Sequence, residues 1–455
     1  TVSPGLNGKG TTDYPYLIST AENLAAFRDY VNLGNTAICG KLTQDIDLST
    51  VCGDGIGSWE PIGNNKYKYK GTFDGNKHSV VGLYIKRTDV HNQGLFGYFM
   101  GDVENLHVSG NIWVEDTSPD IGNNAYCVGG IAGFVESGKI SNSSYSGKVY
   151  SNGDQIGGIT SQVFDNAEVS NCWSDAEVGG GTTCGGIVGI LGGKDCSITN
   201  CLFTGTTSGK SYVNAVTNYS DGTISNCYYL NGSDENATTK ITADQLKSGY
   251  VAYALQNGAE TNIWGQTIGT DTMPCLTSDE EAQLYRVIYT HDDIAFDTTF
   301  VNRNKPLNTL PLAKDFLGSS YNPGLSYTVS CSELTSDGTT GNAVTTETPI
   351  TSDLTLACTA TISGLTLPGS GTIETPYEIA STTDLLAFCD YVNLGNTTIK
   401  AKFTADIDYG SVKSVWPMIN NFAGTLDGNG HTLSNFNQGA GTWNPLFSSI
   451  VTGGV

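Results

Sequence analysis

The sequence carries little charge, and basic residues are especially scarce. Charged residues make up 15% of the 455 positions, and 22 Lys and Arg stand against 45 Asp and Glu, for a net charge of −23. Nucleic acids and anionic membranes bind clustered Lys and Arg, so this balance disfavours both partners. No apolar run approaches the ~18 residues of a membrane-spanning helix, so no insertion into a membrane is expected. The chain opens on Thr1 without a signal peptide, and we expect it to be a processed or excerpted piece of a longer secreted protein with several modules.

Motifs of several enzyme classes are also missing. The five histidines form no His-Glu-x-x-His zinc site, and neither Gly-x-Ser-x-Gly nor the phosphate-binding Gly-x-x-x-x-Gly-Lys occurs. The twelve cysteines include no Cys-x-x-Cys pair, which leaves a zinc centre with little support. The sequence therefore predicts a protein that is not an enzyme, with no cofactor and no catalytic or metal-binding residue to assign.

Glycine is abundant, with 57 residues, and the chain repeats itself between about residues 94 and 230. Five segments align there, and their starts are 36, 28, 28 and 29 residues apart. Short alternating runs within a period near 28 predict strands stacked into a solenoid. We therefore predict an all-β fold, a right-handed parallel β-helix with one coil per period. Shared glycines are predicted at the corners of the repeat: Gly94, Gly97, Gly130, Gly133, Gly158, Gly186 and Gly189.

An asparagine follows each segment start by about a dozen residues, and a cysteine follows it at once in the last three segments. Equivalent residues of successive coils lie above one another at ~4.8 Å, so inward asparagines can pass hydrogen bonds from amide to amide. Surface turns are the alternative, because asparagine is common in turns. The cysteines are interpreted as buried free thiols. The predicted ladder consists of Asn142, Asn171, Asn200, Asn226, Cys172, Cys201 and Cys227, with Asn105 in the first segment.

A family resemblance rests on these repeats. Gly94-Leu-Phe-Gly97, followed by runs of the form Gly-Gly-Ile-x-Gly and Ile-x-Asn-Cys, resembles the GLUG motif of large bacterial surface proteins, including adhesin-like proteins of gut Bacteroidales. The motif also occurs in some IgA-peptidase-like proteins. The resemblance covers about residues 10 to 276 and begins again near 369. It implies a β-helix at the bacterial cell surface or outside the cell, acting as an adhesin or extended stalk whose candidate partners are host glycans or surface proteins.

Three domains are expected. Residues 1–284 form the β-helix with a capping helix at each end, because the terminal coils of a solenoid need covering. Residues 285–365 alternate as half-buried strands and predict a small antiparallel, sandwich-like β spacer. Residues 366–455 repeat the beginning of the chain at an offset of 361 and predict the start of a second, truncated β-helix. Cys331 and Cys358 fall on the apolar phase of spacer strands, either as a disulfide or as two free thiols.

The capping helices have recognisable start signals. Ser19 with Glu22 predicts a capping box at the first, and Thr242 with Gln245 predicts one at the second. Glycine near residue 258 is the expected end of the second helix.

A polysaccharide-cleaving hydrolase or lyase is the rival interpretation, because many parallel β-helices cleave acidic polysaccharides. Glycoside hydrolysis needs paired carboxylates, and the third coil alone is crowded with them. A solvated strand face is the alternative, and no Lys or Arg lies nearby to act as the base of a lyase. The carboxylates are Asp165, Glu168, Asp175 and Glu177. Four aromatic residues are candidates for stacking on sugars, with buried packing as the alternative: Tyr84, Trp173, Tyr228 and Tyr229.

Overall fold

The computed structural model describes residues 5–117, 126–256, 259, 261–411, 416–435 and 445–455. Backbone contacts divide the chain into unit 1, Thr1–Tyr285 with Phe300–Asn304, and unit 2, Arg286–Thr299 with Lys305–Val455. Strands dominate both units, so the predicted all-β class is confirmed. No helix in these described ranges is long and apolar enough to cross a membrane. The three predicted domains stay a prediction.

Unit 1 is a parallel β-helix, as the repeats predict. Each complete coil passes through four sheets in turn, here called C, A, B and D, and pairs in register with its neighbours. Ile140, for example, pairs with Val103 of the preceding coil and Val169 of the next. A further antiparallel pair, Trp264–Gly265 with Cys275–Leu276, follows the coils.

The strands of the four sheets are as follows. Sheet A contains Tyr16–Ile18, Gly40–Leu42, Thr72–Asp74, Asp102–Glu104, Lys139–Ser141, Glu168–Ser170, Ser197–Thr199 and Thr223–Ser225. Sheet B contains Ile46–Asp47, Ser79–Thr88, His107–Glu115, Ser144–Ser151, Trp173–Ser174, Glu177–Gly179, Leu202–Phe203, Thr206–Ser208, Tyr228–Tyr229 and Thr239–Lys240. Sheet C contains Phe96–Phe99, Ala132–Val135, Thr160–Val163, Val188–Leu191 and Thr217–Ser220. Sheet D contains Cys127–Gly129, Gln155–Gly157, Thr183–Gly185 and Tyr212–Asn214.

Columns of like apolar side chains fill the interior. In sheet A the column runs through Val103, Ile140, Val169 and Ile198, all fully buried. Removing one such side chain from water contributes about 1.5–3 kcal/mol, so the stacked columns supply most of the driving force for winding. Because neighbouring coils present the same residue type at the same height, the interior is built by repetition.

The first capping helix, Ala21–Asn32, covers the start of the core with Leu24, Phe27 and Val31. Its N-cap is Thr20, whose hydroxyl accepts from the backbone N–H of Asn23. The predicted start at Ser19 is therefore one residue early, because the Ser19 hydroxyl instead donates to the Asn23 side chain. A 3₁₀ turn, Leu48–Thr50, follows the next strands.

The second capping region consists of two short helices instead of one. Ala243–Lys247 begins with the predicted capping box between Thr242 and Gln245, which is confirmed. Gly249, at φ +89°, separates it from the helix Tyr250–Gln256. A left-handed glycine interrupts an α-helix, so the predicted continuous helix bends here. Unit 1 closes with the 3₁₀ turn Glu280–Ala282.

Unit 2 contains the spacer sheet and the second module. The spacer strands, in sheet order, are Ile294–Asn302, Leu284–His291, Leu354–Leu365, Leu325–Leu334 and Thr340–Val344, of which the first two extend from unit 1. Pairing is antiparallel at Leu325–Leu334, whereas Leu284–His291 and Leu354–Leu365 run parallel, so this sheet is mixed. Cys331 and Cys358 lie opposite each other and form a disulfide. The short helices Ala313–Phe316 and Gly318–Ser320 join its strands.

The second module repeats the beginning of the first. Its helix Thr382–Asn393 is capped by Ser381 and buries Leu385, Phe388 and Val392, the counterparts of Leu24, Phe27 and Val31. The other elements are Tyr377–Ile379, Lys400–Phe403, Ile407–Asp408, Tyr409–Ser411, Thr425–Asp427 and Leu433–Ser434. The same cap thus opens both modules.

The free cysteines yield a testable prediction. Nine of the ten free thiols are buried and Cys275 is half-buried. Burial raises the pKa of Cys127 and Cys389 to about 12 and that of Cys184 to about 11. Because the thiolate is the reactive form, Ellman's reagent at pH 8 should label about one thiol in the native chain and all ten in denaturant. Cys275→Ser should abolish the native reaction; fast labelling of several thiols would contradict this packing.

Candidate functional site

The predicted asparagines lie on adjacent coils of unit 1. All five, counting Asn105, are in the left-handed region with φ between 49° and 55°, which asparagine tolerates better than most residues. Nδ2 of Asn142 donates to Oδ1 of Asn105 at 3.3 Å, and Nδ2 of Asn200 donates to Oδ1 of Asn171 at 3.2 Å. Nδ2 of Asn226 donates to Oδ1 of Asn200 at 2.8 Å. Each of these asparagines thus lies at a corner of its coil, and its left-handed backbone conformation produces the turn there.

The column is interrupted once. In the part of the chain that the structure describes, Oδ1 of Asn142 has no hydrogen-bond partner, and neither does the nearby hydroxyl of Ser170. The amides therefore fall into two groups, with Asn105 and Asn142 in one group and the remaining three in the other. At its N-terminal end the first group continues to Asp74, whose Oδ1 accepts from Asn105 at 3.1 Å.

In the last four coils the residue after the ladder asparagine is buried behind the same corner. Cys172, Cys201 and Cys227 are buried and stack on one another, and each thiol donates to the carbonyl two residues earlier. In the second coil the hydroxyl of Ser143 makes the equivalent bond to Ser141 at 2.7 Å. These thiols act as small buried hydrogen-bond donors. Burial raises the pKa of Cys201, so its reactive thiolate form is disfavoured.

The predicted glycines divide into two sets. Gly94, Gly130, Gly158 and Gly186 lie at the turn before a sheet C strand, and Gly97, Gly133 and Gly189 lie inside such strands. None has a positive φ. A Cβ on Gly130, Gly158 or Gly186 would instead meet a carbonyl oxygen of the next coil at 2.4, 2.0 and 2.1 Å respectively. Close approach of adjacent coils is therefore what requires glycine at the turn.

A second column points outward, two residues after each ladder asparagine. Strand register places His107, Ser144, Trp173, Leu202 and Tyr228 side by side on sheet B. Leu202 and Tyr228 are covered, because they pack with apolar residues of the two C-terminal capping helices and with Trp264. His107 and Trp173 remain partly exposed, and the small Ser144 between them is 3% exposed.

That open part of the column forms the floor of a groove of about 390 Å³. The segment after the capping helices provides the opposite wall. The lining residues are Lys77, Asn105, Leu106, His107, Asn142, Ser144, Ser146, Trp173, Asn262, Ile263, Cys275, Leu276, Thr277 and Ser278. A volume in this range suits a small ligand or a sugar unit.

Aromatic and polar groups are held in place within the groove. The imidazole of His107 stacks on Trp173 with ring centroids 5.6 Å apart, which the small Ser144 between them permits. Nδ1 of His107 and Oγ of Ser144 hydrogen-bond at 2.8 Å. Nζ of Lys77 donates to Oγ of Ser278 at 2.6 Å and so links the two walls. The groove combines an aromatic ring with amides, hydroxyls and a cation.

His107 makes the stability of unit 1 depend on pH. Burial lowers the pKa of His107, and the Asp175 carboxylate offsets part of that shift. The unfolded chain, with a His pKa of ~6.5, then binds more protons than the folded chain, so this stabilisation is complete above that pH and is lost below it. Between pH 7.5 and pH 5, urea unfolding should show a steeper loss of stability for the wild type than for His107→Asn. Parallel pH profiles would contradict the buried, neutral imidazole.

Two of the four predicted carboxylates of the third coil lie in different sheets. Glu168 lies in sheet A and Glu177 in sheet B, and each pairs with a lysine of the preceding coil, Lys139 at 3.2 Å and Lys148 at 2.6 Å. The expectation that no lysine lies nearby is wrong, because winding places residues about 29 positions apart side by side. Both carboxylates are therefore occupied by ion pairs across coils.

The four candidate aromatics differ in exposure. Trp173 lines the groove, whereas Tyr228 and Tyr229 are buried and Tyr84 packs partly against the core. Sequence reasoning missed His107 and Lys77. His107 could have been identified from its position in the repeat, because it lies two residues after Asn105, as Trp173 lies two residues after Asn171. Lys77 carries no comparable signal, because its groove partner Ser278 is 201 residues away.

Residues 124–150 match the family model described as the GLUG motif. A provisionally named Gly-rich membrane protein of Evansella cellulosilytica is 39% identical over 114 residues, which cover 25% of this chain and 13% of that protein. Halomucin of Haloquadratum walsbyi is 24% identical across 98% of this chain and 6% of its own length. The chain therefore spans only a small part of either relative.

Two solved structures also show similarity. A Bacteroides ovatus protein, provisionally named an immunoglobulin A1 protease, matches with a TM-score of 0.43 and 21% identity over 60% of this chain and 95% of its own. An IgA1 protease matches with a TM-score of 0.29 and 15% identity over 50% of this chain and 20% of its own. At these scores neither match identifies an activity. The motif match confirms the resemblance predicted from sequence, and this chain carries the GLUG motif.

Proposed function

We propose that this chain is a non-catalytic bacterial cell-surface protein that acts as an adhesin and binds glycans in the groove of unit 1. One observation carries the proposal: the fourteen lining residues within the described ranges offer an aromatic face, amides and hydroxyls but no carboxylate. Sugars are bound by stacking on aromatic rings and by hydrogen bonds from such groups. Glycoside hydrolysis, by contrast, needs two carboxylates across the scissile bond.

The proposed location and partners are consistent with the relatives. One relative is named a membrane protein, and both are longer than this chain. We infer a place at the cell surface within a longer multi-module protein, with host glycans or surface proteins as partners.

A glycan and mucin-protein array probed with the full chain tests the proposal. We expect binding that Trp173→Ala abolishes and Trp173→Phe weakens, because both variants alter the ring in the groove. Trp113→Ala is the matched control, since Trp113 is 42% exposed on the same strand as His107 but outside the groove. A silent array would contradict ligand binding and leave the stalk interpretation.

An activity assay separates the adhesin from an enzyme. Incubation of the full chain with pectins and host glycans should release neither new reducing ends nor unsaturated products. Turnover that Trp173→Ala removes would identify a polysaccharide-cleaving enzyme and overturn the proposal.

A further inference from the structure

The groove differs in charge from the rest of the molecule. The chain carries a net charge of −23, yet among the residues that the structure describes the groove lining contains Lys77 and no acidic side chain. Asp175 lies close enough to His107 to influence its pKa but does not line the groove. A local site of positive charge on an acidic surface attracts anions that the surrounding surface repels.

Lys77 supplies that charge without an acidic partner. Three other lysines on the β-helix, Lys41, Lys139 and Lys148, pair with carboxylates of neighbouring coils. Among the described residues Lys77 makes no ion pair, and its ammonium donates to the neutral hydroxyl of Ser278. An ammonium has three donors, so groups of a ligand can take the positions that Ser278 leaves.

Backbone conformation and hydrogen bonding fix the position of the Lys77 main chain. Lys77 is in the left-handed region at φ 65°, and its N–H donates to the carbonyl of Asn105 at 2.9 Å. The chain is therefore anchored to the ladder corner next to the groove. Ordering of this segment before binding reduces the entropy that a ligand contact would otherwise cost.

Apolar surface accompanies the charge. Leu106, Ile263, Leu276 and the ring of Trp173 line the same groove. A ligand that matches all these groups has an apolar face, hydroxyls and one anionic group. Acidic sugars, which carry a carboxylate or a sulfate on a pyranose ring, have this combination.

We propose that the groove selects acidic saccharides, with Lys77 as the partner of the anionic group and Trp173 as the platform for the ring. The inference rests on the proposed glycan-binding function and narrows it to one ligand class. A charge-assisted hydrogen bond in a partly enclosed site is strong enough to change affinity by about tenfold or more.

Calorimetry with the full chain and matched oligosaccharides tests this selectivity. The pairs are sialylated against asialo, glucuronate against glucose-containing, and sulfated against desulfated, so that the arms distinguish carboxylate from sulfate. We expect the acidic member of at least one pair to bind about tenfold more tightly at low salt. Lys77→Met should remove that preference, and Lys77→Arg should retain it.

Lys86→Met is the matched control, because Lys86 lies on sheet B outside this groove, and it should preserve the preference. Equal binding of acidic and neutral members would overturn the inference while the glycan-binding function stands. Absence of binding to every member would overturn both. Equal loss of both members in Lys77→Met would assign Lys77 a structural role and overturn its assignment as the charge partner.

Discussion

Replacement of Asn200 by alanine is expected to lower the free energy of unfolding of unit 1 by about 2–3 kcal/mol. The alanine must adopt the left-handed conformation of Asn200, at φ 53°, which costs ~1–2 kcal/mol for a residue with a Cβ. It also removes two amide bonds, to Asn171 and from Asn226. Asn226 keeps a partner in the carbonyl of Ala254, so Asn171 Oδ1 is the group left unsatisfied. Urea unfolding followed by circular dichroism measures the loss.

Two controls separate these causes. Asn200→Gly removes the same bonds but adopts positive φ freely, so it should recover roughly half of the loss. Asn142→Ala has the same conformational cost, at φ 49°, but loses only the bond to Asn105 because its Oδ1 has no partner. It should therefore be the milder alanine variant. If Asn142→Ala destabilised as much as Asn200→Ala, the second amide bond would contribute nothing; if Asn200→Gly did so, the left-handed conformation would contribute nothing.

Replacement of Gly186 by alanine should be more damaging, with a loss of about 3 kcal/mol or more. The added Cβ would lie 2.1 Å from the carbonyl oxygen of Ala215 and 2.5 Å from the ring of Phe203. The carbonyl is backbone and Phe203 is fully buried, so neither neighbour can rotate away. The adjacent coils must separate, which also weakens the hydrogen bond from Gly186 N–H to the same carbonyl. Urea unfolding and hydrogen exchange of the last coils should both report the change.

The control is a glycine at which an added Cβ would contact no other atom. A Cβ on Gly428, which has no positive φ, would have no atom within 4 Å, so Gly428→Ala should change stability by less than ~0.5 kcal/mol. If Gly186→Ala behaved like this control, the close approach of coils would not constrain the turn.

The fold could be predicted from the sequence because the sequence repeats. The spacing of the coils, the glycine turns and the asparagines all report the same period, because residues that stack experience the same environment. The spacer offered weaker signals, since alternation predicts strands but does not specify their partners. Its parallel pair, Leu284–His291 with Leu354–Leu365, depends on contacts between distant segments. The break in the second capping helix depended on one residue, Gly249, that lies inside an otherwise helical pattern.

Only part of the groove could be predicted from the sequence. Trp173 is an aromatic residue in an outward phase, so it could be named as a candidate for stacking on sugars. The opposite wall could not, because Ile263, Leu276 and Ser278 belong to a segment outside the repeat whose return along sheet B no period encodes. The pairing of Lys139 and Lys148 with carboxylates was missed for a different reason. The repeat period indicates which residues of successive coils lie side by side, but the prediction considered only neighbours along the chain.

The winding of unit 1 has a consequence for how far such a protein can project. Its later coils begin 28 or 29 residues apart, yet each adds only ~4.8 Å of height, whereas the same residues fully extended would span roughly 90 Å. A β-helix is therefore a poor means of gaining distance from a cell. What it gains is a broad, stiff wall, which keeps the two sides of a cleft at constant separation.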